Sequence, residues 1–209
     1  MLGVSTPARS YGGRTAEERA RDRRARLVEA TIALMAEHGE AGTTMTAICA
    51  RAGLTERYFY ESFAQREDAM LAALDHVSEQ IAAAAQGVNA QTPGSPEERV
   101  RAVMESFVGL VSDDPALGLV AVVHSSATPS LRARRHELIV SFADLVADEA
   151  AVLYGDDAWP TDRARVQGLV YVAGFAELIA CWLTGEVDLS AEQLSSTASD
   201  LFISLSRRP

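Results

Sequence analysis

The residues of this chain best suited to act on another molecule lie between Gly42 and Asp68. Hydroxyls (Thr44, Thr46, Thr55), guanidinium groups (Arg57, Arg66) and phenols (Tyr58, Tyr60) alternate there with apolar residues at helical spacing. Groups of these types hydrogen-bond to phosphate oxygens and to base edges. Two short helices around one tight turn would present them, the second exposing Arg and Tyr and hiding Phe.

The elements that position these groups follow from the local sequence. Ile48 and Cys49 lie near the end of a short apolar helix. Gly53 falls where the chain must reverse with positive φ, which glycine does without steric penalty. Leu54 follows as an apolar plug, and Thr55 is expected to cap the next helix with its side-chain oxygen. Phe59 and Phe63, four apart, share the buried face of that helix. The other faces carry Glu56, Arg57, Tyr58, Tyr60, Glu61 and Ser62. Small Cys49 lets the two helices approach closely. This is a helix-turn-helix pattern, whose second helix enters the major groove. Taken alone, the same pattern also fits two helices of an ordinary bundle.

A long amphipathic helix precedes the unit. Thr15 and Glu18 make a capping box. Leu27, Ala30, Thr31, Leu34 and Met35 form its stripe, with Val28 and Ile32 beside it, and His38-Gly39 closes it. After Arg66-Glu67-Asp68 another apolar-periodic helix begins at Met70.

This assembly resembles the TetR family of bacterial transcription regulators. The resemblance covers residues 15–80. It rests on the long first helix ending in Gly39, Thr43-Thr44 opening the second helix, Ile48, Ala50-x-x-Gly53, and Tyr60-x-x-Phe63-x-x-Arg66-Glu67. The family usually has Lys where this chain has Arg66, which keeps the charge.

Carried across by position, the resemblance implies DNA-binding roles for these residues. Thr44 meets a phosphate through its hydroxyl and backbone N–H. Thr46 reaches a base edge or a phosphate. Glu56, Arg57 and Tyr58 stand at the base-reading start of the third helix. Tyr60 gives its hydroxyl to one phosphate, and Arg66 clamps another. Arg57 has the fork that matches guanine O6 and N7. Glu56 either accepts from a cytosine amine or favours the positive N-terminus of its helix, the second being preferred. The family often shows a small residue in place of Arg57, Thr in place of Tyr58, and basic residues or His in place of Glu61 and Ser62. The operator sequence therefore does not transfer from a relative.

Charge is unevenly placed. The net charge is −10, yet residues 1–66 hold 10 Arg against 8 acids, whereas the remainder holds 9 Arg against 21 acids. A near-neutral, Arg-bearing head before an acidic body suits specific binding and limits nonspecific attraction to DNA. All basic residues are Arg, which reads as genomic bias. Strand-type alternation is scarce, so the fold class is all-α. The expected organisation is a basic, disordered tail over residues 1–14, in which Arg9 and Arg14 lie, a helix-turn-helix domain over 15–66, and a helical effector-binding and dimerisation domain over 67–209.

In the second domain the fourth helix is expected from Glu67 to about Ala85, with a loop from Gln86 to Pro93. Ser95-Pro96-Glu97-Glu98 starts a fifth helix, Asp114-Pro115 a sixth and Thr128-Pro129 a seventh. Thr161 is expected to cap the eighth, and Ser190 with Gln193 boxes the ninth. Nine helices are the family's number.

The eighth helix, with Val166, Leu169, Val170, Val172, Phe175, Leu178, Ile179, Trp182 and Leu183, is apolar around most of its circumference and needs cover on all sides. It holds Gln167 and Glu177 and reads as a buried core helix, not a membrane span. A partner subunit would supply the missing cover, with Gly168, Ala173 and Gly174 allowing close packing. The resemblance implies a homodimer through the last two helices and a palindromic DNA operator. It also implies a ligand pocket in the second domain, with Met104, Phe107, Val111, His124, Tyr171 and Phe175 as candidate lining. Its effector would be small, uncharged and hydrophobic or aromatic. Each of those residues also suits ordinary core.

The chain shows no Gly-x-Ser-x-Gly elbow, Gly-rich phosphate loop or His-Glu-x-x-His motif, so an enzyme is not expected. No cofactor is implied, and Cys49 and Cys181 lack the spacing of a metal site. The first 13 residues lack an apolar signal core, which places the chain in the cytoplasm. The reading is a ligand-responsive repressor. The alternative is a helical dimeric interaction module that has lost sequence-specific DNA binding.

Overall fold

The computed structural model describes residues 15–91 and 93–208. The tail expected over residues 1–14, with Arg9 and Arg14, lies outside them. Among the described residues the architecture is all-α, with nine α-helices. These are α1 (Ala16–Gly42), α2 (Met45–Ala52), α3 (Glu56–Ser62), α4 (Arg66–Gln91), α5 (Pro96–Asp113), α6 (Pro115–Gly118), α7 (Pro129–Tyr154), α8 (Thr161–Leu183) and α9 (Ala191–Ser206).

Local chemistry explains most of the boundaries. Thr15 with Glu18, Ser95 with Glu98 and Ser190 with Gln193 form reciprocal capping boxes at α1, α5 and α9. Thr128 caps α7 by accepting from the Leu131 N–H at 3.2 Å. Two expected caps are absent. Thr55 precedes α3 in extended conformation, but its hydroxyl makes no capping bond. Thr161 is the first residue inside α8, and the cap position falls on Pro160, whose rigid ring offers no side-chain acceptor. Helix α4 also runs on to Gln91 where a loop was expected from Gln86. Gly87 is tolerated inside it at a cost of only about 1 kcal/mol, and no proline intervenes before Pro93.

Helix α6 is a single turn. It passes directly into a π-helical turn, Leu119–Val123, and a 3-10 turn, His124–Ser126. Gly118 is needed here because a Cβ would lie 2.6 Å from Leu183 Cδ1 and 2.7 Å from Val111 Cγ1. At the end of α1, Gly39 adopts φ 63° and kinks the last turn.

One apolar core fills the N-terminal end. Leu27, Met35, Ile48, Phe59, Met70, Ala73 and Val77 have no exposed surface within it. The first half of α4 therefore belongs physically to the same core as α1, α2 and α3. Leu117, Val120 and Leu131 join it from the C-terminal helices. Two smaller clusters lie beyond, one around Val100, Ala150, Tyr171 and Phe202, the other around Val108, Val111, Ile179 and Leu194.

Candidate nucleic-acid interface and effector cavity

The turn between α2 and α3 is set by Gly53, which sits in the left-handed region at φ 62°, ψ 39°. Its N–H and that of Leu54 bond back to Ala50 and Cys49, closing α2. The Arg26 guanidinium of α1 also donates to the Ala52 carbonyl at this helix end. Phe59 and Phe63 are buried and pack ring against ring at 5.6 Å. Their burial orients α3 so that Glu56, Arg57, Tyr60 and Glu61 face outward.

Arg57 is the most open of these, with 84% of its side chain exposed. It donates from Nε to Glu61 Oε1 at 3.2 Å. An exposed i,i+4 pair of this kind is worth little and yields readily to a stronger acceptor. Tyr60 is 59% exposed. Tyr58 is less available: it is half-buried, and the Arg23 guanidinium lies 4.5 Å from its ring centre. Thr44 is the N-cap of α2, its hydroxyl accepting from the Ala47 N–H at 3.2 Å, and Thr46 is exposed one turn on. Arg66, expected to point at a phosphate, instead turns toward the end of α1. It donates to the Glu40 carbonyl at 3.1 Å and pairs with the Glu40 carboxylate.

The arginines of α1 are the part of this surface that sequence reasoning did not assign. Arg23 also reaches Glu61 at 3.4 Å, and the Arg24 guanidinium lies 4.5 Å from the Phe63 ring centre. With Arg26 they clamp α2 and α3 onto α1. The basic run from Arg19 to Arg26 was visible, but its partners depend on how α3 crosses α1. At the far end of α1, Arg51 and Glu37 share two bonds of 2.6 Å, which hold the Glu37 carboxyl below its usual range.

Residues 27–73 match the family model described as bacterial regulatory proteins, tetR family. That span is the helix-turn-helix unit. Residues 27–73 are a TetR-family DNA-binding domain. The whole-chain fold agrees. The fatty acid degradation regulator FadR from Bacillus halodurans superposes with a TM-score of 0.72 at 15% identity, over 87% of this chain and 94% of that one. A TetR-like transcriptional regulator from Rhodococcus sp. RHA1 gives 0.66 at 16% identity, over 87% and 93%. FadR from Bacillus subtilis, in complex with stearoyl-CoA, gives 0.70 at 16% identity, over 86% and 97%. No curated protein sequence matches. The N-terminal unit thus matches the TetR family of bacterial regulatory proteins, and the whole chain shares its fold with solved regulators.

Behind the TetR-type head, α4, α5, α7 and α8 form most of the wall of a partly open apolar cavity of about 240 Å³. Met104, Phe107, Tyr171 and Phe175 line it. Phe175 packs between the rings of Phe107 and Tyr171, at 5.4 and 5.9 Å. The Tyr171 hydroxyl donates to Met104 Sδ at 3.1 Å, and burial pushes its pKa well up. Val111 and His124 do not line it. Val111 has no exposed surface and packs against Gly118. His124 ends the π turn, and its ring lies beside the Gly39 kink of α1. Burial there lowers its pKa. The charged residues in the wall, Arg99, Arg135 and Glu149, were not foreseen.

Helix α8 is long and apolar enough to cross a membrane by length and composition. It is not a buried core helix, since only 17% of its most apolar window is buried. Tyr171 and Ile179 face inward, while Val166 and Val170 are 62% and 60% exposed. Gly168 serves the inner face: a Cβ there would lie 2.5 Å from the Ala143 carbonyl oxygen of α7. Gly174 is on the open side with nothing within 4 Å.

Proposed function

We propose that this chain is a ligand-responsive repressor, acting in the cytoplasm, that binds a palindromic operator as a homodimer and is released by an elongated, mainly apolar effector. One observation carries this reading: the cavity and the reading head share two walls. Helix α4 gives Met70, Leu74 and Val77 to the head's core and Ser78, Ile81 and Ala85 to the cavity. The π turn gives Val120 to the core and Ala121 and Val122 to the cavity. An occupant that favours one position of these elements shifts the placement of the head, provided its affinity for the two states differs. The stearoyl-CoA bound by the Bacillus subtilis relative supports a cavity of this fold that accepts a long apolar chain.

The second copy covers the bare side of α8, with Val166, Leu169, Val170 and Gly174 facing their symmetry mates and Leu201 of α9 beside them. In this arrangement two α3 helices face successive turns of the operator. Replacing both Val166 and Val170 with Glu converts the dimer to a folded monomer in sedimentation, because it would bury charges against each other.

On DNA, Arg57 leaves Glu61 to read a guanine, Thr44, Thr46 and Tyr60 meet the backbone or a base edge, and Glu56 and Tyr58 flank them. Arg66 takes a phosphate by exchanging Glu40. Selection of fragments from the source genome by the purified protein tests the reading: an enriched palindrome is expected. Arg57→Ala then costs about 1–3 kcal/mol and relaxes one base pair, whereas Arg66→Ala weakens all sequences alike. A folded dimer that enriches nothing would mean an interaction module instead.

A further inference from the structure

We infer that the effector is an amphiphile with an anionic head, and that Arg135 is the residue that selects for it. The inference rests on the effector reading above and narrows its chemistry. The cavity wall holds three charged side chains, Arg99 on α5 and Arg135 and Glu149 on α7. Arg135 and Glu149 are 14 residues apart on that helix, about 21 Å along its axis. At the far end Arg99 pairs with Glu149 at 3.5 Å, so a carboxylate already occupies that arginine and would repel an anionic ligand.

At the near end the balance is reversed. Neighbouring Arg134 is held by Asp75 at 2.6 Å and Glu137 at 2.7 Å. Among the described residues Arg135 pairs with Glu177 alone, at 4.0 Å, and that carboxylate is 72% exposed while the Arg135 side chain is 26% exposed. A partner so distant and so solvated is a weak competitor. A guanidinium in an otherwise apolar wall gains much more from a carboxylate that arrives with a buried tail, because the pair is then shielded from water. The ligand's tail would run along Leu138, Phe142, Val146 and Leu153 toward Phe202, all of which line the cavity. A fully uncharged effector would leave Arg135 with only its solvent-side partner.

The test uses the full-length protein and two probes of equal chain length, palmitate and methyl palmitate, titrated by calorimetry from cyclodextrin. Palmitate is expected to bind roughly tenfold or more tightly than the ester, the size of one charge-assisted hydrogen bond. Arg135→Gln brings the two affinities together, and Arg135→Lys keeps part of the difference. Glu177→Gln tightens palmitate, since it removes the competing carboxylate. Thermal melts of each variant confirm the fold. Equal affinity for the two probes in the wild type, or a palmitate preference that survives Arg135→Gln, overturns the inference and leaves the apolar-effector reading standing. Failure of the folded wild type to bind either probe overturns both.

Discussion

The two ends of the molecule use the same kind of helix and fill the space between helices differently. In the head, side chains from α1, α2, α3 and α4 form one buried cluster, and Phe59, Leu27, Met35, Ile48 and Met70 have no exposed surface. In the body the apolar residues divide into two small clusters, and many of the rest line a cavity. An aromatic ring touched on all sides contributes dispersion and burial together. A ring on a cavity wall has given up part of both. The head is therefore the more completely packed region, and the body gives up part of its packing to hold a cavity.

The largest expected effect tests that contrast directly. Phe59→Ala should destabilise the protein by about 3–5 kcal/mol, as truncation of a fully enclosed ring does. Phe142→Ala, at a partly buried cavity-wall residue, should cost less than about 2 kcal/mol, since part of its surface faces the cavity and lacks partners. Urea denaturation of both variants decides it, and equal losses would mean that the body is packed as tightly as the head.

Glycine substitutions sharpen the same comparison at smaller magnitude. Gly53→Ala forces a Cβ into the left-handed region at the turn and should cost about 1–2 kcal/mol. In the body, Gly109 lies inside α5 with nothing within 4 Å of an added Cβ. Gly109→Ala should stabilise by up to about 1 kcal/mol through helix propensity alone. Opposite signs in thermal melts are the expected outcome.

The contrast also explains what could be read in the sequence. The head was legible because its determinants are local. Gly53 demands one backbone conformation, Phe59 and Phe63 fix one face by their spacing, and the Thr15–Glu18 capping box announces the start of α1. In the body, the apolar run Leu117 to Val123 says that something is buried, but not that the chain switches to a π turn with Val120 on one side and Val122 on the other. Val111 and Met104 share a helix and an apolar character. Val111 is buried against Gly118 and in the cluster with Val108, Ile179 and Leu194, away from the cavity. Arg66 and Arg135 show the same limit for charge: the residue type was visible, while the partner, Glu40 in one case and Glu177 in the other, is set by tertiary packing.

The smallest effect should appear at the joint between the two regions. His124 leaves the body and sets its ring 3.7 Å from where a Cβ on Gly39 would lie. Burial lowers its pKa below the ordinary histidine value of 6.5. Between that ordinary value and the lower folded one, the unfolded chain binds more protons than the folded chain, so stability falls as pH drops through this window. The carboxylate of Glu37, held down by Arg51, contributes its own loss only below about 4.5, outside the range from pH 7.5 to 5.5. Wild-type Tm should therefore fall modestly from pH 7.5 to 5.5, and His124→Gln, which has no proton to take up, should flatten that fall. If the variant loses stability over the same range as the wild type, the acid sensitivity lies elsewhere, and the contact of His124 with the Gly39 kink joins head to body by packing alone.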